Sequence, residues 1–287
     1  MDIRTTHRAL LNRLLPGDAP DGLAVRQGQF HDVVMGTDRV VCLPRTRAAA
    51  ARLPERAAVL RALAGVDLGC RVPEPLSRGE APGADGVPFL VLSRVPGEPL
   101  EARVLDDSRV AGAVAAQYAT LLAGLARAGR DAAVRAVLPQ APADRWRRFA
   151  TSVRAELSAL MSDSGRRRAE RELSALDGLP HLTEAVVHGD LGAENVLWEW
   201  RDGLPHLTGV LDWDDVSLGD PAEDLAAVGA GHGHGLLERV LVLGGRSDGG
   251  LTTRIAAIRG TFALQQALHA VRDGDEEELA DGLAGYR

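Results

Sequence analysis

The stretch most restrictive of what this chain can fold into runs from residue 185 to 226, AVVHGDLGAENVLWEWRDGLPHLTGVLDWDDVSLGDPAEDLA. Three apolar runs, 185–187, 195–200 and 206–213, read as short strands. Asp202-Gly203 between the last two is a strong hairpin signal, because a tight two-residue turn needs positive φ at both central positions. Counting lengths fixes the rest. The chain leaves Asn195, runs about five residues to the turn and returns over the same distance, so Asp212 comes back to the end where Asn195 began. Asp190 lies in the loop feeding that end. Three side chains are therefore expected to converge although 22 residues separate the first from the last. Beyond them, Pro221 suits the first turn of a helix and Asp220 a capping position.

Two carboxylates and one amide are all oxygen donors, which suits a hard cation such as Mg²⁺ whose shell is completed by water or phosphate oxygens. Phosphoryl transfer from a nucleotide uses this arrangement. An Asn and an Asp hold metal against the phosphates, and an Asp five residues before the Asn, the spacing of Asp190 and Asn195, accepts the proton of the attacking hydroxyl. Other chemistries fit less well. DWDDVSLGDPAED misses the register of a calcium-binding EF-hand loop. A nucleophile elbow G-x-S-x-G is absent. His232 and His234 in GHGHG read as surface-loop residues rather than zinc ligands, and Glu194 reads as a surface residue.

Composition removes further classes. All 33 basic residues are Arg, so Walker A sites, Schiff bases and lysine general bases are excluded. A net charge of −7 argues against nucleic acid as a partner and suits a cationic ligand. Cys42 and Cys70 are too few for a disulfide framework. The N-terminal segment has scattered charges and no apolar core, and no apolar run approaches the roughly 18 residues of a membrane span, so a cytoplasmic protein without membrane partners is expected.

Along the chain, residues 22–44 read as a meander broken at Gly28 and 36–38, 46–65 as a helix, and Phe89–Ser93 as a strand running into Pro96-Gly97. The character then turns helical. Val110, Val114, Tyr118, Leu121, Leu122 and Leu125 form one stripe between Asp107 and Gly129. Further helices are expected at 143–161, 163–177, 221–244 and 251–272, with 272–282 a solvated acidic face.

VVHGDLGAENVLW followed by GVLDWDDVSLGDPAEDLAAV resembles the aminoglycoside phosphotransferase-like kinases. The wording of GQFHDVV, RVVCLPRTRAAAARLPERAAVLRALAG and IRGTFALQQAL is similar to the branch that O-phosphorylates basic cyclic-peptide antibiotics of the viomycin and capreomycin type on a serine-type hydroxyl. The resemblance implies an α+β, two-lobed protein-kinase-like fold, with a small β-rich N-lobe (1–95) and a larger, mainly helical C-lobe (96–287). It implies ATP, with GTP not excluded, and Mg²⁺ as cofactors. Asp190 would be the catalytic base, His188 would brace its loop, and Asn195 and Asp212 would hold the metal. Asp220 would tie the loop backbone. Gly28 in QGQFHDV would lie over the phosphates, and Ser93, Arg94 and Val95 would meet adenine. Acidic residues for a cationic substrate are Asp214, Asp215 and Glu223. One departure stands out. Where related kinases carry a strand Lys or Arg paired with a helix Glu, this chain has Cys42 and, on the helix, Arg56 beside Glu55. Either Arg45 or Arg47 takes the phosphate role, or Mg²⁺ and loop amides do. Alternatives are an aminoglycoside or macrolide kinase, a metabolic small-molecule kinase, and a catalytically dead nucleotide-binding protein.

Overall fold

A computed structural model describes residues 2–28, 30–81, 86–246 and 248–287. Gln29, inside the expected phosphate loop, lies outside the described residues. Two short helices, α1 (Ile3–Thr6) and α2 (Arg8–Leu14), precede a five-stranded sheet of β1 (Ala24–Gln27), β2 (His31–Met35), β3 (Arg39–Pro44), β4 (Pro75–Glu80) and β5 (Pro88–Ser93). All neighbours are antiparallel, in the order β1-β2-β3-β5-β4. Alternation sends Val34, Val41, Leu43, Phe89 and Val91 into one cluster with Leu10, Leu11 and Leu15. Between β3 and β4 runs α3 (Arg47–Ala64), started by Thr46, whose side chain accepts the Ala49 N–H, and ended at Gly65. Its Leu53, Ala57, Leu60 and Leu63 are buried.

The stripe between Asp107 and Gly129 becomes α4 (Ser108–Ala128), capped by Asp107 through the Arg109 and Val110 N–H groups. By length and composition α4 could cross a membrane, contrary to the expectation that no run approaches that length. Its apolar face is instead spent inside the protein. Val114, Tyr118 and Leu121 are fully covered, each such side chain contributing about 1.5–3 kcal/mol of burial.

After α4 come α5 (Ala132–Arg135), α6 (Arg145–Glu156), α7 (Asp163–Ser174), β6 (Ala185–Val187), β7 (Val196–Arg201), β8 (Leu204–Val210) and β9 (Ser217–Gly219). The chain closes with α8 (Ala222–His232), α9 (His234–Leu243), α10 (Gly249–Gly260), α11 (Phe262–Asp273) and α12 (Glu276–Gly282). The expected single helix over 221–244 is two, because Gly233 turns to φ 85° between α8 and α9. His232 is therefore not a surface-loop residue. It sits in the last turn of α8 with its Nε2 2.7 Å from the hydroxyl of buried Tyr118.

Contacts divide the chain into two compact units, but not by one cut near residue 95. Residues 1–100, 131–138 and 194–214 form one; 101–130, 139–193 and 215–287 form the other. The β7–β8 hairpin joins the first unit through backbone bonds. Arg71 and Thr208–Val210 exchange N–H···O contacts of 2.9 and 3.1 Å, and Glu98 and Trp198 exchange two more of 3.0 and 2.9 Å. In the second unit β6 pairs with β9, and α4 packs against β6 and α9.

Candidate active site

The loop carrying Asp190 is built inside the second unit. Strand β6 is fully buried and delivers His188 at 0% exposure. The next residue, Gly189, has φ 89°, and a Cβ there would lie 2.7 Å from the Asp215 carbonyl oxygen, so only glycine fits without strain. Asp190 follows, exposed, with Leu191 buried behind it. His188 bends back so that its Nδ1 accepts the Asp190 N–H at 3.2 Å, which leaves the proton of the neutral ring on Nε2.

The backbone of this loop is held by Asp224, not by Asp220. The Asp224 carboxylate, 1% exposed in the first turn of α8, accepts the His188 N–H at 2.9 Å and the Gly189 N–H at 3.1 Å. Burial pushes its pKa up to about 7, with the two N–H groups pulling the other way. Asp220 is occupied one turn earlier. It accepts the Ala222 N–H at 3.0 Å and pairs with Arg254 of α10 at 2.7 Å. The two acids of GDPAED thus divide the work: one starts the helix, and the other reaches back from it. Glu223 between them pairs with Arg145 of α6 at 2.7 Å, and Arg145 lies over the Trp146 ring at 4.4 Å. Burial raises the Glu223 pKa and Arg145 lowers it. Asp215 is exposed.

Asn195 and Asp212 belong to the first unit, at the open end of the β7–β8 hairpin. Asp202 and Gly203 turn it with φ 51° and 73°, the double positive φ that the Asp-Gly pair implied. Val196 pairs with Val210, and the Leu211 N–H donates to the Asn195 carbonyl at 2.8 Å. Asn195 and Asp212 therefore flank one closing bond. Asp212 itself has φ 56°, the left-handed conformation that Asp tolerates better than most residues, and is exposed. Behind it Trp213 is buried and donates its indole N–H to the Val210 carbonyl at 2.9 Å.

The next carboxylate, Asp214, is committed within this unit. It pairs with Nε of Arg56 at 2.8 Å, and its other oxygen lies 3.9 Å from Nδ1 of His31. Arg56 also donates an Nη1 hydrogen to His31 Nδ1 at 3.2 Å. Cys42 sits in the middle of β3 beside this group, 2% exposed. Burial raises its thiol pKa, Arg56 lowers it, and the Asp214 and Asp212 carboxylates raise it further. Arg45 is exposed and braces the loop before β2, donating to the Gly28 carbonyl at 2.8 Å. In the expected adenine segment, the Ser93 N–H is bonded to the Glu74 carbonyl and the Arg94 N–H to the Asp38 carbonyl, while Val95 is buried. Sequence reasoning missed Asp224 and the Arg56–Asp214–His31 group. The signal for the first was the second acid in GDPAED, and for the second an Arg at a helix position where an acid was expected.

A small antiparallel sheet with one long helix, and a helical unit presenting an exposed Asp on a loop braced by a buried His, define a phosphoryl-transferring enzyme of kinase-like fold. The chain belongs to the phosphotransferase enzyme family, whose model matches residues 20–258. It is 69% identical to viomycin phosphotransferase of Streptomyces vinaceus, over all 287 residues and the full length of both chains. The fold is shared with a GDP complex of wild-type aminoglycoside 2'-phosphotransferase-IIIa (TM-score 0.84, 19% identity, 99% of this chain and 97% of that one). It is also shared with macrolide 2'-phosphotransferase type I (TM-score 0.72, 24% identity, 100% and 98%).

Proposed function

We propose that this protein is an ATP-dependent kinase that inactivates basic cyclic-peptide antibiotics of the viomycin and capreomycin type by phosphorylating one of their hydroxyls. The observation that carries this reading is the 69% identity to viomycin phosphotransferase over both full lengths. The side chains supply the chemistry in named roles. Asp190 orients the substrate hydroxyl and accepts its proton as the oxygen bonds to the γ-phosphorus and the bond to the β-phosphate oxygen breaks. His188 and Asp224 hold the loop so that this carboxylate is presented at a fixed position.

The donor set fits Mg²⁺. Among the described residues no cluster of three His, Cys, Asp or Glu side chains could hold a metal alone. Asn195 and Asp212 offer two oxygen ligands, which suits a cation that takes the rest of its shell from water and phosphate. Bound there, Mg²⁺ would neutralise phosphate charge. Gly28 would lie over the phosphates, its loop braced by Arg45 through the Gly28 carbonyl, and Ser93, Arg94 and Val95 would line the adenine edge. Of the acidic candidates for a cationic substrate, Asp215 is the one whose carboxylate is not committed to an arginine, while Asp214 and Glu223 are.

The test is a transfer assay with Mg²⁺ and either ATP or GTP against viomycin, capreomycin, an aminoglycoside, a macrolide and choline. Phosphate on the cyclic peptides supports the reading. Phosphate only on another acceptor sinks it.

A further inference from the structure

We propose that Arg56, on helix α3, is the side chain that binds the nucleotide phosphates, held in place by Asp214 and His31. This rests on the kinase reading above and names a residue of the same site. A nucleoside triphosphate brings several negative charges to its site, and in a chain without lysine the balancing side chain must be an arginine. Strand β3 offers none pointing inward, since its centre is the buried Cys42. Arg45 is drawn off to the Gly28 carbonyl, and Arg47 stands exposed at the start of α3.

Arg56 differs from both. Its side chain is 17% exposed, so it is sheltered yet reachable, and it is fixed on two sides, by Asp214 at 2.8 Å and by His31 Nδ1 at 3.2 Å. A guanidinium has five N–H donors in a rigid fork. Asp214 and His31 each take up one, leaving others for a ligand. The position is also right. Cys42 feels Arg56, Asp214 and Asp212 together, so the guanidinium shares its neighbourhood with the carboxylate assigned to the metal.

The His31 tautomer follows from the same contact. Because Arg56 can only donate, His31 Nδ1 is an acceptor and the ring proton is on Nε2. That Nε2 is buried without a hydrogen-bond partner among the described residues, on a side chain 9% exposed. An orphaned buried donor is costly to keep, so the ring is held here for its Nδ1 contact with Arg56. Asp214 then holds the cation rather than cancelling it. It also links α3 to the loop bearing Asp212, so phosphate and metal sites are set by one group of side chains.

Calorimetric binding of ATP with Mg²⁺, and separately of adenosine, tests the proposal on the full-length protein and on Arg56→Gln, Arg56→Lys and the double variant Cys42→Lys/Arg56→Gln. Arg56→Gln is expected to weaken ATP about ten- to hundredfold, the loss of hydrogen bonds to a charged group, with adenosine unchanged. Adding Cys42→Lys to that variant is expected to recover part of the loss, which a merely structural role would not allow. Unchanged ATP affinity in Arg56→Gln, or equal losses for ATP and adenosine, overturns the proposal. If that variant does not fold, Arg56→Lys decides in the same way, with a selective loss for ATP of about three- to tenfold expected because a lysine cannot serve both partners and the phosphates. A wild-type protein that transfers phosphate while Arg56→Gln binds ATP normally leaves the kinase reading standing and removes this one. A wild-type protein that binds no nucleotide overturns both.

Discussion

Asp224→Asn isolates the energetic role of the buried carboxyl behind the Asp190 loop. In the folded protein burial lifts this group from 3.8 to about 7. A folded pKa above the unfolded one means that the native state binds the extra proton, so this group's contribution to stability is full below pH 3.8 and is lost as pH rises through 7. The rise from 3.8 to about 7 corresponds to about 4 kcal/mol across that window. Asparagine cannot titrate, so the difference in unfolding free energy, variant minus wild type, should rise by about 4 kcal/mol from pH 4 to above 7. Chemical denaturation at four or five pH values measures it, and subtraction removes the other carboxylates common to both proteins. Asparagine also offers one acceptor oxygen for the two N–H groups of His188 and Gly189, so phosphate transfer should fall at every pH. A difference flat to within about 1 kcal/mol over the range would refute the argument that a desolvated, titrating carboxyl holds this loop.

Asp190→Asn should abolish phosphate transfer while leaving calorimetric ATP affinity near the wild-type value, because the exposed carboxylate acts on the acceptor and not on the nucleotide. Asp212→Asn should raise the Mg²⁺ concentration needed for half-maximal activity about tenfold or more, read from a magnesium titration at saturating ATP. Gly189→Ala should cost about 2–4 kcal/mol in denaturant unfolding, since the new Cβ meets the Asp215 carbonyl at 2.7 Å on a backbone at φ 89°.

Much of this site could be read before any coordinates because its local signals are covalent. Asp202-Gly203 dictates the turn, the turn dictates the register, and the register returns Leu211 to Asn195. The long helices were legible from their stripes and caps, as at Asp107 and Thr46. What escaped depends on depth and reach. Asp220 and Asp224 are four residues apart on one helix start, and only the coordinates show which of them reaches the β6 loop. Arg56, His31 and Asp214 are far apart in the sequence, and no spacing rule connects them. Gly233 split a helix that the hydrophobic pattern ran together, because periodicity continues across a backbone turn made by one residue.

The way residues 194–214 belong with residues 1–100 also orders events during synthesis. Arg71 and Glu98 wait for bonding partners that lie 137 and 100 residues later, at Thr208 and Trp198. At about 5–20 residues per second, the ribosome needs on the order of 6–23 s to go from residue 100 to residue 214. For that interval the segments just before β4 and just after β5 hold open backbone groups that only the late hairpin closes. A nascent chain of this protein thus passes through a long unfinished stage, and a shortage of charged tRNA in that interval would prolong its exposure to chaperones and proteases.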